Sequence, residues 1–310
     1  MLHSHALNLF AMLDKPDANG NDIKFLFEKY NKDIEVKKLT NETGSTDYVT
    51  IKIQGNNGKS AGGTAKTLGI VGRLGGLGAR PEINGFVSDG DGALAALTAA
   101  LKLSEMTFSG DNVEGDVIIV THIDPAAPTQ PHDPVPFMGS AFDQKSRNKF
   151  EISEEMDAII SIDTTKGNRI VNYNGVAVTP TVKEGYILKV SEGVLDIYEN
   201  VTGNLPMVFP ITTQDITPYG NGVFHINSIL QPSIATNVPT IGLAITSITA
   251  IAGSGTGATQ LKSVEEAARL SVEVAKLYGK GELEFYDAKE FKLLQNQYGS
   301  LKHLQNKEGE

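Results

Sequence analysis

Cysteine is absent from the chain, which excludes disulfides, a thiolate nucleophile and any cysteine-ligated zinc. Basic residues are not in excess either. Against 27 Lys and Arg stand 37 Asp and Glu, a formal net charge of -10, so the cationic surface that draws nucleic acid or anionic membranes is lacking. No apolar run approaches the ~20 residues of a membrane span. The opening MLHSHALNLFAML has no basic leader or signal-type cleavage pattern. These absences predict a cytoplasmic protein with no nucleic-acid or membrane partner.

Familiar cofactor motifs are also missing. Gly55 to Ser60 reads GNNGKS and ends like a phosphate loop, but the spacing requires glycine at position 53, which is Ile53. Gly253 to Ala258 reads GSGTGA after a strand candidate. A dinucleotide site needs its helix to begin within those glycines, and here the helix signal starts at Ser263. No G-x-S-x-G elbow is present. No nucleotide cofactor is expected, and serine-based hydrolysis has no support.

What is present is an ordinary globular composition: 310 residues, 40% hydrophobic and 21% charged. Apolar runs at Thr67–Gly72, Val117–Thr121, Ile159–Ile162 and Thr240–Ala244 are bounded by loops and alternate with helical patterns. That arrangement predicts a single α/β domain over 1–310, with a central mixed, mainly parallel sheet flanked by helices. The four runs should be neighbouring inner strands. Residues 282–310 read as a charged C-terminal helical tail. Leu2–Leu13, Asp22–Lys32 and Val194–Val201 have helical spacing, Ile34–Leu39 and Tyr48–Gln54 alternate as half-buried strands, and Asn172–Val190 looks like a hairpin pair. Met207–Thr212 is a further strand candidate. Ser263-Val264-Glu265-Glu266 is a capping-box pattern.

The most telling stretch is Ile83–Met106, in which Phe86 and Val87 end a short extended run. Ser88-Asp89-Gly90-Asp91-Gly92 forms a polar turn, and a helix of Ala and Leu follows, apolar on nearly all sides and so expected to be buried. In parallel sheets ligands gather at the carboxyl ends of the strands. That rule groups Asp89 and Asp91 with Arg73, His122, Asp124 and Asp163. Asp124–Ser140 carries five prolines, which exclude helix and central strand, and is expected to fold over the strand ends. Two like charges ~4 Å apart repel by about 4 kcal/mol at an effective dielectric near 20, so such carboxylates need a metal, Arg73 or a proton. His122 and His132 could supply imidazole to zinc, manganese or iron. Plainer readings stay open: Asp89 or Asp91 as a helix cap, His122 bonded to backbone, His132 in a surface turn, and a structural His225.

Three stretches, in order, resemble the co-catalytic zinc aminopeptidase superfamily. Val87–Leu103 is similar to its aspartate turn and Ala/Leu helix. Ala158–Thr164 is similar to its strand ending in aspartate. Val238–Tyr278, through VPTIGLAIT and SVEEAARLSVEVAKLY, resembles its closing strand, loop and final helix. The whole chain also looks like a bacterial family described only as a domain of unknown function, with THIDPAAPTQPHDPVPFMGS as its hallmark. The first resemblance implies a zinc-aminopeptidase-like, phosphorylase/hydrolase-like three-layer architecture. It implies Asp89 or Asp91 as the metal-bridging carboxylate and Asp163 as the second-metal one. The family's first histidine has no counterpart, since the early strand ends Val71-Gly72-Arg73. Its paired glutamates are replaced by Thr121-His122-Ile123-Asp124, and its last histidine is missing after Thr246.

Two functional readings follow. In the first, the chain is a metal-dependent hydrolase with a remodelled site for a small peptide or amino-acid-like substrate. Asp91, His122 and Asp163 share one divalent ion, Asp89 joins them or orients a ligand, and Asp124 or His132 is the general base. In the second, it is an inactive descendant that binds a small metabolite, with Arg73 on a carboxylate, or an oligomeric scaffold built on the final helices. A homo-oligomer is expected.

Overall fold

The structure is a computed structural model that describes residues 1–73, 75–133, 135–211 and 226–305. The helices are α1 (Leu2–Leu13), α2 (Gly20–Phe27), α3 (Asp91–Phe108), α4 (Gln144–Glu151), α5 (Glu192–Thr202), α6 (Leu261–Lys280) and α7 (Ala288–Tyr298). The strands are β1 (Ile34–Thr40), β2 (Ser45–Ile53), β3 (Leu68–Gly72), β4 (Val117–Ile123), β5 (Thr129–Gln130), β6 (Phe137–Met138), β7 (Ala158–Thr165), β8 (Gly175–Val178), β9 (Val182–Lys183), β10 (Tyr186–Ile187) and β11 (Thr240–Thr246).

Nine strands form one sheet in the order β1-β2-β4-β3-β7-β11-β9-β10, with β8 also on β11. The four inner strands β4, β3, β7 and β11 are mutually parallel, in the positions expected of the four apolar runs. Their residues are buried on both sides, which is why they read as continuous apolar runs rather than alternating ones. β1 and β2 extend the sheet antiparallel. The hairpin expected over 172–190 is smaller than its sequence suggests. β9 and β10 pair with each other, whereas β8 pairs with β11.

One face of the sheet is covered by α3 and α6, which pack on each other and on α1. Of the 18 residues of α3, 14 are buried, so its nearly all-round apolar sequence matches its central place. Small residues let it lie close: a Cβ at Gly92 would stand 2.7 Å from the carbonyl oxygens of Arg73 and Ile162. The other face carries α4 and a 3-10 segment, Ser228–Ile234. α6 begins at Leu261 without a side-chain cap, so the Ser263 pattern lies inside the first turn rather than capping it. No helix among the described residues is long and apolar enough to cross a membrane.

Candidate functional site

Successive side chains of a strand point to opposite faces, and this alternation sorts the candidate residues into two groups. Ile118 and Val120 on β4, Ile159 on β7 and Val71 after Ile70 on β3 form a cluster on the α4 face. His122, Asp163 and Arg73 fall in step with them. Ile160 and Ile162 belong to the core under α3, and Thr164 and Lys166 fall in step with those.

On the α3 face the turn Ser88–Gly90 leads into α3. It is held by Thr164 Oγ1, which donates to the Ser88 carbonyl at 2.9 Å, and by the Asp89 amide, which donates to the Gly253 carbonyl at 3.0 Å. Asp91 is the first residue of the helix and is wholly buried. It does not cap: neither carboxylate oxygen has a hydrogen-bond partner, and the Thr259 hydroxyl facing it makes no bond of ordinary geometry either. Burial pushes the Asp91 carboxyl up to about 7, against the pull of Lys166 and Thr259 and helped by Asp89. Burial likewise raises Asp89 to about 6, with Lys166 and the Met138 backbone opposing. Lys166 is 4% exposed; burial lowers its pKa while Asp91 and then Asp89 raise it.

On the α4 face the charged groups are paired, although Arg73 Nε, Arg147 Nε and the Tyr48 hydroxyl are buried without a hydrogen-bond partner. The Arg73 guanidinium, 1% exposed, forms an ion pair with Glu151 and donates to Gln231 Oε1 at 2.6 Å and Gln144 Oε1 at 3.2 Å. The Gly75 amide donates to His122 Nε2 at 3.0 Å, so His122 Nδ1 carries the proton and donates to Glu151 Oε1 at 3.0 Å. Burial by itself raises the Glu151 carboxyl, but Arg73 and the His122 hydrogen bond bring it down to about 2. Arg147 is lowered by burial and by Arg73, against Glu151 and Asp163. Asp163 accepts from the Thr164 amide at 2.7 Å.

Asp124 accepts from the Ala126 amide at 3.1 Å and from Thr46 Oγ1 at 3.2 Å. Burial raises its pKa, and those bonds and His122 oppose the shift. It therefore serves as the anchor of the proline-rich loop. That loop folds back over the strand ends: β5 pairs with β6, and Ala127 and Met138 pack with Ala79 and Val87. His132 is half-buried beyond β5. His225 and Thr212 lie outside the described residues. A cavity of about 200 Å³ opens at the opposite end of the sheet, lined by Lys66, Asp157 and Tyr278 among others. Its charges are paired, Lys66 with Glu284 and Asp157 with Lys59.

Among the described residues no three His, Asp or Glu side chains converge as a metal site requires. The expected trio of Asp91, His122 and Asp163 is split by the sheet, since Asp91 opens a helix on one face while the other two project from the opposite one. Both His122 nitrogens are engaged within the protein, and Arg73 is sealed in an ion pair, away from any ligand carboxylate. Lys166, Glu151, Arg147 and Thr259 are the residues that sequence reasoning missed. The signal for Lys166 was its even spacing from Ile162 and Thr164 in IDTTK. The signal for Glu151 was Asp143, whose side chain caps α4 by accepting from the Ser146 amide at 2.7 Å.

The model of a family described as "Protein of unknown function (DUF1177)" matches residues 37–308. No curated protein matches the chain. Among solved structures, the bottromycin maturation enzyme BotP in complex with Mn is similar at 13% identity and TM-score 0.53, covering 90% of this chain and 71% of that one. A glutaminyl cyclase from an Acidobacteriales bacterium is similar at 13% identity and TM-score 0.51, covering 90% and 94%. The Legionella pneumophila LapA aminopeptidase aligns at 11% identity and TM-score 0.48, covering 91% and 70%. At these identities the likeness is one of fold, and the fold is the zinc-aminopeptidase-like α/β architecture.

Proposed function

This chain belongs to the DUF1177 family, and we propose for it a metal-independent site that binds a small peptide or amino-acid-like ligand at the carboxyl ends of the inner strands. The observation that carries this reading is Asp91. A carboxylate with both oxygens buried and unpartnered costs the fold more than the ~1–3 kcal/mol of an ordinary unsatisfied group. Such a cost is characteristic of a functional position. Asp89 and Asp91 together with Lys166 leave one negative charge uncompensated. A ligand ammonium donating to Asp91 and Thr259 supplies the missing charge and the missing donors at once. Near neutral pH the same carboxylate can take up or release a proton, so the site has the means for acid–base chemistry on what it binds. Assembly into a homo-oligomer belongs to the same proposal, supported by the exposed Leu293 and Tyr298 on α7.

The second reading, a metal-dependent hydrolase, is favoured by the same orphaned carboxylate and by the manganese complex of BotP. His122 and Lys166 count against it. Calorimetric titration with zinc, manganese and iron(II), beside thermal shifts with a panel of free amino acids, dipeptides and their N-acetylated forms, separates the two. Stabilisation by ligands with a free amine, lost on acetylation, with no metal uptake, is the expected result. Metal binding without any amine-dependent shift would overturn it in favour of the hydrolase.

A further inference from the structure

The charged tail does not hang free of the sheet: its last described residue, Gln305, is 8% exposed and is bonded to the segment that holds Arg73. We propose that residues 299–305 are a latch on the α4 face. Gln305 fixes the end of the 3-10 segment Ser228–Ile234, and so keeps Gln231 where it receives the Arg73 guanidinium. Gln305 is thus a positioning residue that acts through Gln231 and touches none of Arg73, Glu151 and His122 itself. The inference goes beyond the reading of Asp91 above and does not depend on it.

The tail is led across the sheet edge by the β9–β10 hairpin. Beyond α7 the Gly299 carbonyl accepts from the Tyr186 hydroxyl, which lies 3.3 Å from the Leu294 carbonyl as well. Tyr186, Leu188 and Phe291 form an apolar cluster on which Leu294 and Leu301 pack. The hairpin turn has glycine where the tail crosses it: Gly185 has φ +83°, and a side chain there would run into the Leu301 carbonyl. Lys302 pairs with Glu184 of the same turn at 3.2 Å. The chain then tightens, with the Leu304 amide on the Leu301 carbonyl and the Gln305 amide on the Lys302 carbonyl, both at 2.9 Å. That turn sends the Gln305 side chain inward, where Nε2 donates to the Ser233 carbonyl at 3.0 Å and to the Thr236 carbonyl.

Those carbonyls need a donor from elsewhere. A helix leaves its last carbonyls unpaired, and Gln305 reaches the end of this one from 72 and 69 residues away. Two residues before Ser233, Gln231 Oε1 takes Arg73 Nη2 at 2.6 Å. Arg73 pairs with Glu151, and Glu151 with His122. A continuous set of bonds therefore runs from the tail to the ends of β3 and β4. The segment itself stays on the sheet without the tail, because Ile229, Leu230 and Ile234 pack with Ala177 and Ala244. What the tail adds is the placement of its end. Gln305 Oε1 has no partner, so only the donor half of the amide does this.

The test follows hydrogen exchange in full-length wild type, Gln305→Met and Gln305→Lys. Backbone amides are read by mass spectrometry and the Arg73 guanidinium protons by NMR, with thermal melts in parallel. Met keeps the length and loses the donor, whereas Lys can donate to the same two carbonyls. Gln305→Met should speed exchange over 228–236 and at Arg73 by roughly three- to ten-fold, the scale of one net hydrogen bond, with α3 unchanged. Gln305→Lys should restore both. No change in Gln305→Met overturns the inference. So does a rise that extends equally through α3, which would mean general destabilisation, or a rise over 228–236 that leaves Arg73 untouched. If Gln305→Met does not fold, Tyr186→Phe frees the tail at Gly299 instead. It should loosen 228–236 and Arg73 in the same direction, and its failure to do so overturns the latch.

Discussion

His122 Nδ1 lies 3.0 Å from Glu151 Oε1, and that contact commits the histidine to the protein rather than to a ligand. Glu151 is fully buried and also pairs with Arg73. Removing one member of a buried ion pair strands the other charge, at a cost of ~3–5 kcal/mol. Glu151→Ala should lose stability of that order in urea unfolding. A loss below about 1 kcal/mol would mean that Gln144 and Gln231 suffice for Arg73, and that the network is looser than its geometry.

The same carboxylate sets an acid limit. Its pKa falls from 4.5 in the unfolded chain to about 2 in the fold, so the unfolded state binds the proton more readily. The stability it contributes is complete above pH 4.5 and is lost as pH drops through 2. Urea midpoints measured from pH 5 down to pH 2 should decline steeply for wild type and less so for Glu151→Gln. Parallel declines would assign the acid sensitivity to other groups.

Gly92 is where α3 meets the backbones of β3 and β7. A methyl there would stand 2.7 Å from two carbonyl oxygens, which belong to Arg73 and Ile162, and neither can yield as a flexible side chain would. Gly92→Ala should cost ~1–3 kcal/mol through overpacking, despite the better helix propensity of alanine. A variant as stable as wild type in thermal melts would show that the helix start is free to shift.

The framework was legible in the sequence because buried parallel strands are continuous apolar runs, and Leu68–Gly72, Val117–Ile123, Ala158–Thr165 and Thr240–Thr246 all have that form. Asp91 was legible for the same reason, as the polar residue opening an apolar helix. The partners were not. His122 and Asp163 look like companions of Asp91 when only strand ends are compared, but the two-residue alternation places them across the sheet. Lys166, three residues past Asp163, is on the nearer face. Glu151 acts from a polar helix whose apolar periodicity is weak. Its pairing with Arg73 spans 78 residues, a distance no local pattern encodes.

Asp91 makes the sharpest thermodynamic case. Its pKa rises from 3.8 in the unfolded chain to about 7 in the fold, the opposite sign to Glu151. The folded state therefore holds the proton more tightly, and the carboxyl is least costly below pH 3.8. As pH rises from 3.8 towards 7 the unfolded chain ionises freely while the folded one resists, and stability drains away over that window. Above it the penalty is constant. Each pKa unit corresponds to about 1.4 kcal/mol, so Asp91→Asn, which cannot ionise, should be more stable than wild type at pH 8 by roughly 2–4 kcal/mol. Part of the gain is offset because the amide inherits the unpartnered cavity. At pH 4 the two proteins should be nearly equal. Chemical denaturation across pH 4–8 measures the difference directly. If Asp91→Asn is less stable at pH 8, the ionised carboxylate is already compensated in the free protein, and the Asp91 site does not await a ligand.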